Sequence, residues 1–100
     1  MKEWKKSTRF IGSAFICGTM YHTGRYPTVS IERTGMVFGE LYEVSNEVLK
    51  DLDRFKSEYD RKIVKATRED VTVNKHLKAF VYCKSKSELK NYPIEFHGIF

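Results

Sequence analysis

The chain has 100 residues, 41% hydrophobic and 14% aromatic, with 18 Lys plus Arg against 13 Asp plus Glu and a formal net charge of +5. That length suits one domain with a single core, its apolar content excludes a disordered chain, and no apolar run approaches the length of a membrane span. The start MKEWKKSTRF has no apolar signal core ahead of the first strand, so the expected location is the cytoplasm.

The basic excess favours anionic partners without choosing among them. Lys2, Lys5, Lys6 and Arg9 form the one local basic cluster, expected as a solvated N-terminal arm over residues 1–8. No nucleic-acid-binding motif or continuous basic stripe is present, which sets direct nucleic-acid binding aside.

In chain order, RFIGSAFIC at 9–17 is rich in β-formers and predicts a central strand. GTMYHTGRYP at 18–27 predicts a loop. A glycine and a small hydroxyl residue at a strand end can expose backbone N–H groups to an anion or a carbonyl oxygen, or can simply turn the chain. TVSIE predicts a short strand and MVFGELYEV at 36–44 a long one, with Gly39 marking a bulge or a close approach. Ser45 is an N-cap, and Val48, Leu49, Leu52 and Phe55 recur at helical spacing, predicting a packed amphipathic helix from Asn46 to Glu58. Strands follow at KIVKAT, at a short VTV and at HLKAFVYCK, residues 76–84. The tail, 85–100, carries Ile94, Phe96, Ile99 and Phe100 and is expected to pack on the body. This order predicts a single α+β domain over 1–100, built as a small mixed β-barrel with one main amphipathic helix.

Cys17 and Cys83 lie in apolar strand-like runs without CxxC spacing, so both are expected as free, buried thiols. Cys17 near His22 admits a nucleophile reading, but without a second orienting partner a small buried strand residue is the better one. His22, His76 and His97 are too far apart in sequence to predict a metal site, and no cofactor is implied.

Taken together, CGTM at 17–20, YP at 26–27, VFGELYEV at 37–44, LDRF at 52–55, YDRKIV at 59–64 and AFVY at 79–82 resemble, in order and spacing, the motifs of the γ-glutamylcyclotransferase-like superfamily, especially its AIG2-like branch. The resemblance implies a β-barrel flanked by helices, with a cavity at the Gly-Thr turn whose amides hold a substrate carboxylate or carbonyl. It implies a glutamate at the end of the Leu-Asp helix that moves a proton while the substrate's own α-amine attacks its γ-carbonyl, releasing 5-oxoproline. Such chemistry asks the protein for orientation, an anion-holding turn and one acid/base group.

The chain departs from that pattern where the chemistry is concentrated. Lys56 stands in the position of the glutamate and Ser57 in that of a glycine. An ammonium group has no lone pair with which to accept a proton. Glu58 is the one nearby replacement, yet two helical steps turn a side chain by about 200°, to nearly the opposite face. Cys17 replaces the motif tyrosine and Met20 its leucine. Tyr26, Tyr42, Tyr59 and Tyr82 match motif tyrosines that line the cavity or serve the core.

Two functions follow from these residues. One is a small-anion-binding protein, with a nucleotide or carboxylated metabolite held by Cys17, Gly18, Thr19, Met20, Arg25, Tyr26, Lys56 and Tyr82. The other is an active cyclotransferase acting on a γ-glutamyl compound, with Glu58 as its candidate acid/base. Charge reversal at Lys56 places binding ahead of catalysis. An oligomer is compatible with either.

Overall fold

The computed structural model describes residues 8–24, 27–32 and 35–95. The expected arm, Thr8 excepted, and the tail's Phe96, Ile99 and Phe100 lie outside them, as do Arg25 and Tyr26.

Among the described residues, seven strands and two helices follow the chain as β1 (Thr8–Cys17), β2 (Thr19–His22), β3 (Pro27–Ser30), β4 (Met36–Val44), α1 (Asn46–Phe55), β5 (Asp60–Arg68), β6 (His76–Cys83), α2 (Lys86–Leu89) and β7 (Ile94–Glu95). The fold is mixed α+β. Its sheet runs β4-β1-β5-β6-β3-β2-β7, antiparallel at every ladder except β3–β6. β1 and β2 are separated only by Gly18 yet stand four places apart in that order, so the sheet has to curl back on itself. Among the described residues the two edges, β4 and β7, form no ladder with each other. The expected barrel is therefore an open, curled sheet whose ring is completed by the bent β1–Gly18–β2 chain.

The loop expected at 18–27 is corrected: Thr19–His22 is a strand, paired with β3 on one side and β7 on the other. Threonine and tyrosine favour the pleat, and four residues suffice where both neighbours supply a ladder. The strand expected at VTV is absent, and residues 69–75 form bends closed by Arg68 N–H to Lys75 C=O at 2.7 Å. The bulge expected at Gly39 lies instead at Gly12, where the β1–β4 register shifts, while Gly39 pairs in register with Ala14. Gly12 has φ +154°, a conformation that favours glycine at the bulge, and the Asp70 carboxylate lies over it, 2.7 Å from where a Cβ would stand.

One face of each of β1 to β6 forms the core: Ala14 and Ile16, Met20, Val29, Val37 and Leu41, Ala66 and Val81. α1 begins as the sequence predicts, with the Ser45 side chain accepting from Val48 N–H at 3.2 Å. It ends three residues early, capped at Lys56, whose N–H donates to Leu52 C=O at 2.8 Å. The expected four-residue packing face is only partly realised. Val48 is buried and Leu49 and Leu52 are half-buried, but Phe55, the last residue of the helix, is 67% exposed.

Both cysteines are free, but Cys17 is exposed rather than buried, since the β1–β4 face on which it lies beside Met36 is uncovered. Cys83 is buried and donates to Asp60 C=O at 3.4 Å. Burial pushes its thiol pKa up, which makes it a poor nucleophile.

Candidate functional site

Because α1 buries little beyond Val48, space remains between it and the sheet. This space is a cavity of about 590 Å³, walled by α1 through Leu49, Leu52 and Lys56 and by residues of β1, β3, β4, β5 and β6. Of its 21 lining residues 14 are apolar, so any bound molecule meets hydrocarbon over most of its surface.

The polar corner is built by the end of α1 and the start of β5. Helix termination at Lys56 carries its side chain towards two rings, with Nζ 5.2 Å from the centroid of Tyr59 and 6.0 Å from that of Tyr82. Lys84, the residue after β6, brings a second ammonium to 5.0 Å from the Tyr59 centroid. Among the described residues neither lysine has a carboxylate within ion-pair distance. The nearby Asp53 is occupied: Oδ1 accepts from Tyr82 Oη at 2.7 Å and Oδ2 lies 3.2 Å from Arg61 Nη1. Arg61 in turn stacks over Phe80, 4.5 Å from the ring centroid. The corner thus carries a positive potential with rings beneath it, suited to an anion.

Burial, and then the hydrogen bond to Asp53, raise the Tyr82 phenol from its ordinary 10.0 to about 12, with Arg61 opposing. The folded state therefore favours the neutral phenol. Its contribution is complete below pH 10 and is lost as the pH rises towards 12. The hydrogen bond to Glu40 raises the Tyr42 phenol as well, so the test is the step near pH 12 in tyrosinate absorbance, which is expected to disappear in Tyr82→Phe. Its persistence in the variant would contradict the assignment.

The residues singled out by sequence divide into two groups. Lys56 and Tyr82 line the cavity. Cys17, Gly18, Thr19 and Met20 are not among its lining residues, and Arg25 and Tyr26 lie outside the described ones. The Gly18 N–H donates to Gly35 C=O at 3.3 Å, continuing the β1–β4 ladder. Met20 is buried in the core between β3 and β7. Thr19 Oγ1 donates to Glu32 Oε2 at 2.7 Å. Lys86 Nζ approaches the other oxygen only to 3.8 Å, an ion pair too long to be a hydrogen bond, so Glu32 Oε1 is buried without a hydrogen-bond partner among the described residues. Glu58 is exposed in the turn after α1 and does not line the cavity.

The model of one family, described as gamma-glutamyl cyclotransferase, AIG2-like, matches residues 2–98. The chain belongs to that family. Solved structures agree in fold. The crystal structure of an AIG2-like protein from Mus musculus has a TM-score of 0.77 at 20% identity, over 91% of this chain and 69% of that one. The solution structure of ytfP from Escherichia coli gives 0.65 at 22%, over 97% and 80%. No curated protein matches the chain.

Within this AIG2-like chain, Tyr59, which the motifs offered for cavity or core, lines the cavity, and Lys84, Asp53 and Glu40 shape the site without having been singled out for it by sequence. Tyr59 and Lys84 frame the polar corner, Asp53 anchors Tyr82, and Glu40 lines the cavity with its Oε1 accepting from Tyr42 Oη at 3.0 Å. Asp53 and Tyr82 belong to two of the quoted motifs, but their meeting across 29 residues is visible only in three dimensions. Among the described residues no group of three or more His, Cys, Asp or Glu could hold a metal, and no helix is long and apolar enough to cross a membrane.

Proposed function

We propose that this AIG2-like chain is a non-catalytic binding protein of the cytosol that holds a small anion, a nucleotide or a carboxylated metabolite, with Lys56 supplying charge at the cavity. The observation that carries the reading is the Lys56 ammonium beside Tyr59 and Tyr82, without a carboxylate partner among the described residues. A cyclotransferase needs a base to take a proton from the α-ammonium of its substrate. An ammonium group in the position of the family's glutamate does the reverse, attracting the carboxylate or phosphate of a ligand. The Gly18–Met20 segment of the family motif serves the sheet here, which leaves anion binding to the side chains at the end of α1.

Mass spectrometry of small molecules released from the purified protein, followed by calorimetric titration of the best candidate, tests this. A charge-assisted hydrogen bond contributes on the order of 1.5–3 kcal/mol, so Lys56→Glu is expected to weaken binding about tenfold or more. Unchanged affinity in that variant would remove Lys56 from the site, and no signal from a panel of nucleotides and carboxylates would end the proposal.

The enzyme reading retains one specific support, the carboxylate of Glu40 in the cavity wall. Little or no 5-oxoproline is expected from γ-glutamyl compounds. Robust release that is lost in Glu40→Gln or Glu58→Gln, and survives Lys56→Ala, would establish catalysis instead.

A further inference from the structure

We infer that the ligand of this cavity is an amphipathic anion, one carboxylate or phosphate head on an extended apolar body, an inference that rests on the anion-binding role proposed for Lys56. A volume of about 590 Å³ lies in the range that encloses a drug-sized molecule. A bare anion would use only the lysines of the wall, Lys56 and Lys78, and leave the apolar walls wet. Those walls come from three directions: Leu49 and Leu52 from α1, Ile16 and Leu41 from β1 and β4, and Val64 and Ala79 from the β5–β6 pair. Polar heads of opposite sign are poorly served there. A γ-glutamyl compound carries an α-ammonium, an α-carboxylate and an amide, and desolvating all three against hydrocarbon is unfavourable unless each finds a partner. The lining contains one carboxylate, Glu40, and its Oε1 already accepts from Tyr42. A single anionic head matches what the corner offers. Lys56 and Lys84 approach one ring, that of Tyr59, and the neighbouring Asp53 is neutralised by Arg61 and Tyr82, so it does not repel the incoming charge. The body of the ligand then lies along the Leu49–Leu52 side of the helix, replacing water over hydrocarbon.

Calorimetry with decanoate, decyl phosphate, decanol, inorganic phosphate, AMP and a γ-glutamyl amino acid separates the terms. Decanoate or decyl phosphate is expected to bind most tightly, and whichever of the two is tighter identifies the head. Shortening the chain from decanoate to hexanoate is expected to cost about fourfold per methylene that leaves the cavity. Decanol is expected to bind about tenfold or more weakly than decanoate, a gap that closes in Lys56→Gln. Thermal melting of that variant, an exchange at a half-buried surface position, is expected to match the wild type. If AMP, phosphate or the γ-glutamyl compound binds at least as tightly as decanoate, and does so through Lys56, the amphipathic inference is overturned while the anion reading stands. Equal affinity for decanol and decanoate in the wild type overturns the role of Lys56 and, with it, both readings.

Discussion

Gly35→Ala is expected to destabilise the protein by about 2–5 kcal/mol, combining the cost of a side chain at positive φ with that of a backbone overlap. Gly35 has φ +86°, and a Cβ there would lie 2.6 Å from the carbonyl oxygen of Gly18. Neither partner can yield independently. Gly18 is the corner at which β1 becomes β2, and a Cβ at Gly18 would itself meet the Ser30 carbonyl at 2.7 Å. Three backbone segments thus converge on two glycines, and the curl of the sheet depends on their close approach. Urea denaturation measures the effect, and Gly24→Ala is its internal control. Gly24 has φ +112° but nothing within 4 Å of an added Cβ, so that change carries conformational strain without overlap and is expected to cost less than Gly35→Ala. Equal losses at the two positions would mean that strain alone operates, and a loss below about 1 kcal/mol at Gly35 would mean that the corner relaxes freely.

The same corner explains what could and could not be read from the sequence. β4 is legible to the residue because 36–44 is an apolar, β-forming run that ends at the Ser45 cap, and α1 is legible at its start because Ser45 is a strong cap. The Gly-Thr segment is not. Its glycine suits a ligand-holding turn or a plain one by local pattern, and the chain uses it to turn a strand through a crowded corner beside Ser30 and Gly35, which that pattern does not contain. By residue type Gly39 and Gly12 are equally eligible for a bulge, and what separates them is the β1–β4 register, which shifts between Phe10 and Gly12 and which neither local pattern contains. Motif order brought Lys56 and Tyr82 forward, and the structure sets both on one cavity. The Asp53–Tyr82 bond and the approach of Lys84 to Tyr59 depend on how β6 ends beside α1, which no short-range spacing encodes.

Leu89→Ala is expected to cost about 2–5 kcal/mol, a large part of the stability of a domain this size. The short helix α2 looks dispensable by length, since four residues cannot stabilise a helix in isolation. Its position is set from both ends. Ser85 and Glu88 form a capping box, with Glu88 N–H donating to Ser85 Oγ and Ser85 N–H to Glu88 Oε1, each at 3.4 Å. Leu89 is then driven to 1% exposure, among the most deeply buried side chains described. Beyond it Tyr92 N–H donates to Leu89 C=O at 2.9 Å, His22 N–H donates to Pro93 C=O at 2.8 Å, and Ile94–Glu95 joins the edge of β2 as β7. Leu89 therefore holds the segment that covers the β2 edge, and truncating it removes both buried hydrocarbon and the anchor of β7. Ser85→Ala, which removes one side of the capping box and leaves Leu89 intact, is expected to cost only about 1 kcal/mol. Hydrogen exchange distinguishes the two: in Leu89→Ala the amides of β2 and β7 are expected to lose protection more than those of β5 and β6. Uniform loss across all strands would show instead that the 85–95 segment unfolds only with the whole domain, and stability within about 1 kcal/mol of the wild type would show that the segment is not part of the folded core.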